Sequence, residues 1–343
     1  MKPVLPGAST ASVVLAIASR DGRHLLEGML PSVAAQRFRD FRVVVVDDGS
    51  TDGTVGWLAE HWPQVEVVVL GRSVGVTAAF NVCITAASGT QFLALFNNDM
   101  ELDPDCIGEL VSALRGHPEA GFAAAKLVSF HDRRVLDGTG DVFDWNGSAR
   151  RRGHGELDRG QYDAPGVVFG ACGGAALYRR SALDAVGPFY EPFYAFLEDV
   201  DWSFRARLSG IGCRYVPNAV AYHMGSATLG AGMTDFTRYH LTRNAIWLVL
   251  RDYPRTALLR RLPRLARAQL GELLDAYHHR QLRTWLRAWR DALRAAPTVL
   301  RDRSVVQRRR RVGLRALEAA VAEGHEAATE GSVAGTARAD GNR

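Results

Sequence analysis

From Phe41 to Thr54 the chain reads FRVVVVDDGSTDGT. Four successive valines leave no polar face, so a strand built from them is buried on both sides. Both sides of a sheet are covered when helices cross over it between parallel strands. This stretch therefore points to an α/β layer architecture, and it ends in two carboxylates and a run of turn formers. Ligands of an open parallel sheet bind outside the carboxyl ends of its strands, which makes Asp47 and Asp48 the first candidates for chemistry.

The first half of the chain repeats this alternation. Ser12–Ala18 predicts a first strand. Leu25, Leu26, Met29, Leu30 and Val33 then recur at helical spacing, and Pro31 is expected to kink or shorten that helix. Strand Phe41–Val46, a helix from about Thr54, strand Val65–Leu70, a helix over Val76–Ala87 and strand Gln91–Phe96 follow. Asp103 and Pro104 read as the cap and first residue of a helix running to about Arg115. Residues 130–165 lose periodicity and gain Gly, Asp and Arg, the mark of a functional loop or a disordered one. Order resumes at Val167, with a helix from near Leu197 to Gly210 and then the strand CRYVP. Beyond Thr234 the chain turns helical, with Pro254, Pro263 and Pro297 expected to divide it. Ala320–Arg343 reads as a mobile tail.

Charge is unevenly placed. Residues 251–311 hold 17 Arg against five acids, a balance of +12, so the remainder carries −7 of the overall +5. No nucleic-acid motif or pattern of stacking aromatics accompanies these arginines, so nucleic acid is not expected as a partner. Leu, Trp and Ala recur between them at three- and four-residue spacing. Such helices either pack on a neighbouring domain with solvated Arg faces or lie on an anionic membrane surface. Cys83, Cys106, Cys172 and Cys213 form no C-x-x-C pair, which fits a reducing compartment without a disulfide framework. The segment SVVLAIAS is short, preceded only by Lys2 and followed by Arg20 and Asp21, so it reads as a strand, not a signal-peptide core. No apolar run approaches the ~18 residues of a membrane span. The expected location is the cytoplasm, free or peripheral on the inner face of the plasma membrane.

Further acids fall where strands end. Asp99 follows the strand Gln91–Phe96, and Glu198 and Asp199 open the helix before Gly210. Each alone has a structural reading as turn, loop or complement to a helix dipole. Their recurrence on one rim is what calls for a cation or a ligand.

The segments SVVLAIASR, VVVVDDGSTDGT, GRSVGVTAAFN, LFNNDMELDPD, GPFYEPFYAFLEDVDWSFRARLSG and VPNAVAYH occur in this order. Together they resemble the signatures of the family-2 inverting glycosyltransferases, from about Ser12 to His223 and more loosely to Pro254. The resemblance implies the GT-A fold, a Rossmann-like nucleotide-sugar-binding mixed sheet, here with a helical, Arg-rich C-terminal region. It implies an N-terminal extension over 1–11 and a catalytic unit over 12–235, with a nucleotide half at about 12–115 and an acceptor half at about 116–235. A basic helical region over 236–315 and a flexible tail over 316–343 would follow.

By the same resemblance Asp47, Asp48, Arg72, Gly75, Asn81 and Asn97 bind the donor, a dTDP- or UDP-sugar. Asp99 and His223 hold Mg²⁺ or Mn²⁺, hard cations suited to oxygen ligands. Asp199 is the general base, kept ionised by its helix N-terminus, and inverts the sugar by a single displacement. Glu198, Asp201 and Trp202 lie on the acceptor side. Asp201 also stands four residues before Arg205, the spacing of an ion pair, and Trp202 is either core or a platform for a sugar. The GACGG run over Gly170–Gly174 is a tightly packed turn beside the acceptor. Two positions depart from the family: Ile17-Ala18-Ser19 replaces a polar turn, and Asn97 replaces the first acid of the D-x-D site. The FNND and EDVDWSFR forms look most like the rhamnosyltransferase branch, which implies a saccharide or lipid-linked acceptor in cell-envelope polysaccharide assembly.

Three other functions fit these residues less well. A nucleotide-sugar-binding protein without catalysis would have no use for Asp99 and Asp199. A nucleotidyltransferase would want a Gly-rich, basic phosphate loop after the first strand, where ASRDGRHLLE offers a weak version. A G-x-G-x-x-G fingerprint does not follow that strand, which argues against a Rossmann oxidoreductase.

Overall fold

The computed structural model describes residues 5–6, 11–225 and 232–325. In chain order the strands are β1 (Val13–Ser19), β2 (Phe41–Asp47), β3 (Glu66–Val69), β4 (Phe92–Asn97), β5 (Met100–Leu102), β6 (Ala120–Ser129), β7 (Leu136–Gly138), β8 (Asp141–Phe143), β9 (Ala149–Arg151), β10 (Gly166–Val168), β11 (Ala175–Arg179) and β12 (Gly212–His223). The helices are α1 (Arg23–Ala34), α2 (Thr54–His61), α3 (Val76–Ala86), α4 (Cys106–Gly116), α5 (Arg180–Val186), α6 (Glu198–Leu208), α7 (Asp235–Asp252), α8 (Arg255–His278) and α9 (Leu282–Arg309).

One mixed sheet runs β10-β12-β6-β11-β4-β1-β2-β3. β1 pairs in parallel with β2 and β4, and β2 with β3. β11 is antiparallel to both β4 and β6, and β12 is parallel to β6. Consequently Ser19, Asp47, Asn97, Ser129 and His223 all end strands on one rim, while the antiparallel β11 begins there.

The pleat sorts the apolar run between two cores. Val43 and Val45 join Val13, Leu15 and Ile17 against Leu26, Met29, Leu110 and Leu114. Val44 and Val46 join Val14 and Ala16 against Ala79, Phe80 and Trp202 on the other face. Each fully buried large aliphatic contributes about 1.5–3 kcal/mol. A third cluster of Phe143, Trp145, Phe169, Phe204, Trp247 and Tyr253 sits between α6, the β8–β9 hairpin and the C-terminal helices.

Several local expectations are corrected. Pro31, Pro263 and Pro297 lie inside α1, α8 and α9 and break none of them. All three prolines are exposed, as are Glu27, Leu259 and Leu293, whose carbonyls lose the backbone partner, so the missing bonds fall on the solvent-facing side of each helix. α4 starts at Cys106, later than expected, because Asp103 caps a preceding turn by accepting from Asp105 N–H at 3.1 Å. Residues 130–165 are ordered: they form β7 and the β8–β9 hairpin. Arg152 stabilises this insert by donating to the Thr139 carbonyl at 3.0 Å, and it lies over the Tyr162 and Tyr215 rings. The segment expected to be a mobile tail is helical over 314–325, with Leu317 and Val321 buried in the third cluster. Residues 326–343 lie outside the described residues.

Candidate active site

At the β1–β3 end of the rim, Asp47 ends β2 with one oxygen accepting from Ser50 N–H at 3.1 Å. Its Oδ1 is buried and has no partner. Asp48 is engaged differently from the expectation. Its carboxylate accepts from Ser73 Oγ at 2.8 Å, Val74 N–H at 2.6 Å and Gly75 N–H at 3.2 Å. It therefore anchors the loop instead of offering a free acceptor. Gly75 has φ +89°, and a Cβ there would lie 2.5 Å from the Tyr194 ring. Its role is to admit that ring. Arg72 is exposed at the tip of the same loop. Asn81 is committed elsewhere: its amide accepts from Phe189 N–H and donates to the Phe189 carbonyl and to Glu191. Expected as a donor ligand, it clamps the 189–191 loop instead.

At the middle of the rim, Asn97 abuts Gly174, where a Cβ would lie 2.6 Å from the Asn97 amide nitrogen. Neighbouring Asn98 donates to Ser19 Oγ at 2.9 Å. β5 and β12 pair so that Met100 faces His223, which brings Asp99 beside that ring. His223 Nε2 lies 3.3 Å from Asp99 Oδ2, and its Nδ1 lies 2.7 Å from Asp137 Oδ2. Asp99 Oδ1 is buried without a partner. Burial alone would depress the imidazole, but the Asp137 and Asp99 carboxylates outweigh it and hold His223 at about 9. Without a cation His223 is therefore protonated and paired with Asp99; a divalent ion that displaced the Nε2 proton would find one oxygen and one nitrogen there, and its remaining ligands would come from outside the described residues.

The next part of the rim is built by α6. Asp199 accepts from Gly173 N–H and Val200 N–H, both at 2.8 Å. A Cβ at Gly173 would stand 2.8 Å from the Asp199 Cβ, so the GACGG run is what lets the backbone close on this carboxylate. Contrary to expectation, the helix N-terminus does not dominate its titration. Burial raises Asp199, and the two backbone N–H groups offset this only in part. Glu198 is pushed up to about 8 by burial and by the Asp199 charge, and its Oε2 is buried without a partner. Asp141 is raised well above the ordinary range by burial and by Asp199, and its Oδ2 likewise has no partner.

The Asp199 charge helps to raise Asp141, so Asp141 keeps its proton once Asp199 has ionised. With Asp199 as the base, the pH profile of transfer should then show an acid limb above the usual carboxylate range. Asp141→Asn mimics the protonated acid, so the limb should stay in place in that variant. A limb displaced by the substitution would mean that Asp141 is charged in the working enzyme.

Asp201 and Trp202, expected on the acceptor side, are both fully buried. Asp201 accepts from Arg205 at 2.9 Å, the anticipated ion pair, and also pairs with Arg251. Trp202 donates to the Gly187 carbonyl at 2.9 Å and packs edge-on against Phe122 and Tyr178. Both belong to the core, because the second and third residues past Asp199 turn inward on α6.

Three site features escaped the sequence reading. Asp137 and Asp141 come from the insert, where the spacing DGTGD was the available signal. The third is Asn244 of α7, whose amide reaches the carbonyls of Phe193, Ala195 and Phe196 at 3.1, 2.8 and 2.8 Å. Tyr194, Phe196 and Leu197 have φ of 66°, 68° and 63°. Such backbone costs of order 1–3 kcal/mol per residue and persists only where the surroundings hold it. No sequence signal pointed to this clamp.

The sequence model of Glycosyl transferase family 2 matches residues 12–187, just over half of the chain. The chain belongs to that family. This family-2 glycosyltransferase is 26% identical over 263 residues to the N-acetylglucosaminyl-diphospho-decaprenol L-rhamnosyltransferase of Mycobacterium tuberculosis, which covers 68% of this chain and 83% of the relative. Its fold is GT-A. S. aureus TarS 1-349 in complex with UDP superimposes with a TM-score of 0.55 at 18% identity, covering 95% of this chain and 92% of that one. GalNAc-T7 with UDP, GalNAc and Mn²⁺ gives a TM-score of 0.57 at 15% identity, over 70% of the glycosyltransferase and 48% of the longer chain. Among the described residues no helix is long and apolar enough to cross a membrane.

Proposed function

We propose that this enzyme transfers a sugar, rhamnose foremost, from a dTDP- or UDP-linked donor to a hydroxyl of a lipid-linked saccharide, with inversion. The carrying observation is that one rim holds an unpartnered Asp99 oxygen beside His223 and, further along, a buried Asp199 fixed by Gly173. Residues 12–115 form the donor half in this reading and 116–235 the acceptor half. Asp47 offers its free oxygen to the ribose or base, and Arg72 stands at the diphosphate side. Asp99 and His223 would hold Mg²⁺ or Mn²⁺ once the cation displaces the Nε2 proton, and Asp137, accepting from Nδ1–H, would keep Nε2 as the ligating atom. When bound, the cation supplies positive charge against the departing diphosphate.

Asp199 takes the proton of the acceptor hydroxyl as that oxygen attacks the anomeric carbon. The anomeric C–O bond breaks, and its electron pair leaves with the nucleoside diphosphate. A relative that is an L-rhamnosyltransferase of a decaprenyl-linked sugar supports the donor and acceptor classes. A lipid-linked acceptor places the reaction at the inner membrane face, with the protein peripheral to it.

Calorimetry tests the donor site. One of UDP, dTDP or GDP should bind in Mn²⁺ or Mg²⁺, with affinity lost on adding EDTA and in Asp99→Ala. Binding that is indifferent to both would remove the cation from the mechanism, and no binding of any of the three would overturn the donor assignment.

A further inference from the structure

α8 is a long helix with little inside: only Ala257 and Ala276 of its 24 residues are fully buried. Yet Leu259, Leu262, Leu270 and Leu274 are each 50–57% exposed, and Tyr277 is 66% exposed. At 3.6 residues per turn these five share one face, opposite the face carrying Leu258, Leu265 and Ala276 that packs on the protein. α9 repeats the arrangement. Trp285, Ala288, Ala292 and Val299 are buried, while Leu286, Leu293 and Leu300 project 49–58% exposed at seven-residue intervals.

Isolated exposed leucines are ordinary, but two regular stripes on consecutive, contacting helices are not. The charge beside them is of one sign. Residues 255–309 hold 14 Arg and four acids. Arg260, Arg267, Arg280 and Arg283 have no carboxylate partner among the described residues and border the stripes.

We infer that the outward face of the α8–α9 hairpin docks on an anionic lipid surface, its leucines entering the headgroup boundary and its arginines meeting the lipid charge. The seven-residue repeat on α9 also resembles the seam of a two-stranded coiled coil. A second copy fits poorly. One flank of the seam is buried in the protein, and the other carries Arg283 and Arg290, which would oppose their own copies. An anionic bilayer satisfies both the leucines and the arginines. The inference deepens the lipid-linked reading, but its test measures binding alone, so it stands or falls separately from the identity of the acceptor.

The test is flotation of the full chain with vesicles of phosphatidylcholine alone and of phosphatidylcholine with phosphatidylglycerol. The wild type should float with the anionic vesicles and be released by high salt. In Leu270→Ser/Leu274→Ser and in Leu286→Ser/Leu293→Ser the bound fraction should drop at least tenfold, with unchanged thermal melting because these side chains are already in water. Equal binding to both vesicle types, or serine variants that bind like wild type, would overturn the inference. Sedimentation showing a wild-type dimer that the serine pairs dissolve would assign the face to a second copy and overturn it as well.

Discussion

Asp199→Asn should lower kcat for sugar transfer by about 10²–10⁴, the contribution of a positioned general base. Nucleotide binding should be unaffected, because Asp99, His223 and Asp47 lie at other points on the rim. The amide has one oxygen where the carboxylate had two, so it can accept from Gly173 N–H or Val200 N–H but not both. A stability loss of about 1 kcal/mol is the expected cost, too small to unfold the chain. Single-turnover transfer together with calorimetric nucleotide binding separates the effects. A fall in kcat of less than tenfold would move the role of base to Glu198.

The largest effect on stability is expected at Arg251→Met. Arg251 is buried against Asp201 and Asp252, with its guanidinium 3.8 Å from the Tyr190 ring centroid. Burial would raise Asp201, but Arg251 and Arg205 more than offset it and hold its carboxylate below the ordinary range. Removing one arginine leaves a buried carboxylate with half its counter-charge, a defect that costs about 3–5 kcal/mol. The urea midpoint should drop accordingly at unchanged slope. Arg290→Met, which breaks a pair at the surface with Asp291, should leave the midpoint in place. Equal midpoints for the two variants would mean that Asp201 is neutral in the native protein. Because Asp201 lies two residues beyond Asp199 on α6, loosening this cluster should also lower transfer.

Much of the first part of the chain, to about Arg115, was legible because its signals are local. The valine run, the helical spacing of Leu25 to Val33 and the glycine turns each act within a few residues, and the strands and helices fell near their expected positions. Rim acids were legible for the same reason: a parallel strand that ends in Asp must present it on the ligand-binding edge. What such a reading cannot supply is whether a carboxylate is free. Asp48 and Asn81 look like ligands in the chain, but donors and acceptors from 73–75 and from 189–191 occupy them, across separations of 25 and 108 residues.

Sequence alone therefore determined the layer architecture, the order of the elements and the rim on which Asp47, Asp99, Asp199 and His223 fall. Only the tertiary structure decided which of those groups are spoken for. It drew Asp137 and Asp141 in from an insert without periodicity, turned Asp201 and Trp202 into the core, and used Asn244 to hold the strained backbone before α6. The reason is that periodicity records which residues seek burial, whereas the partner of a buried polar group is set by whatever distant segment the fold brings within hydrogen-bond reach.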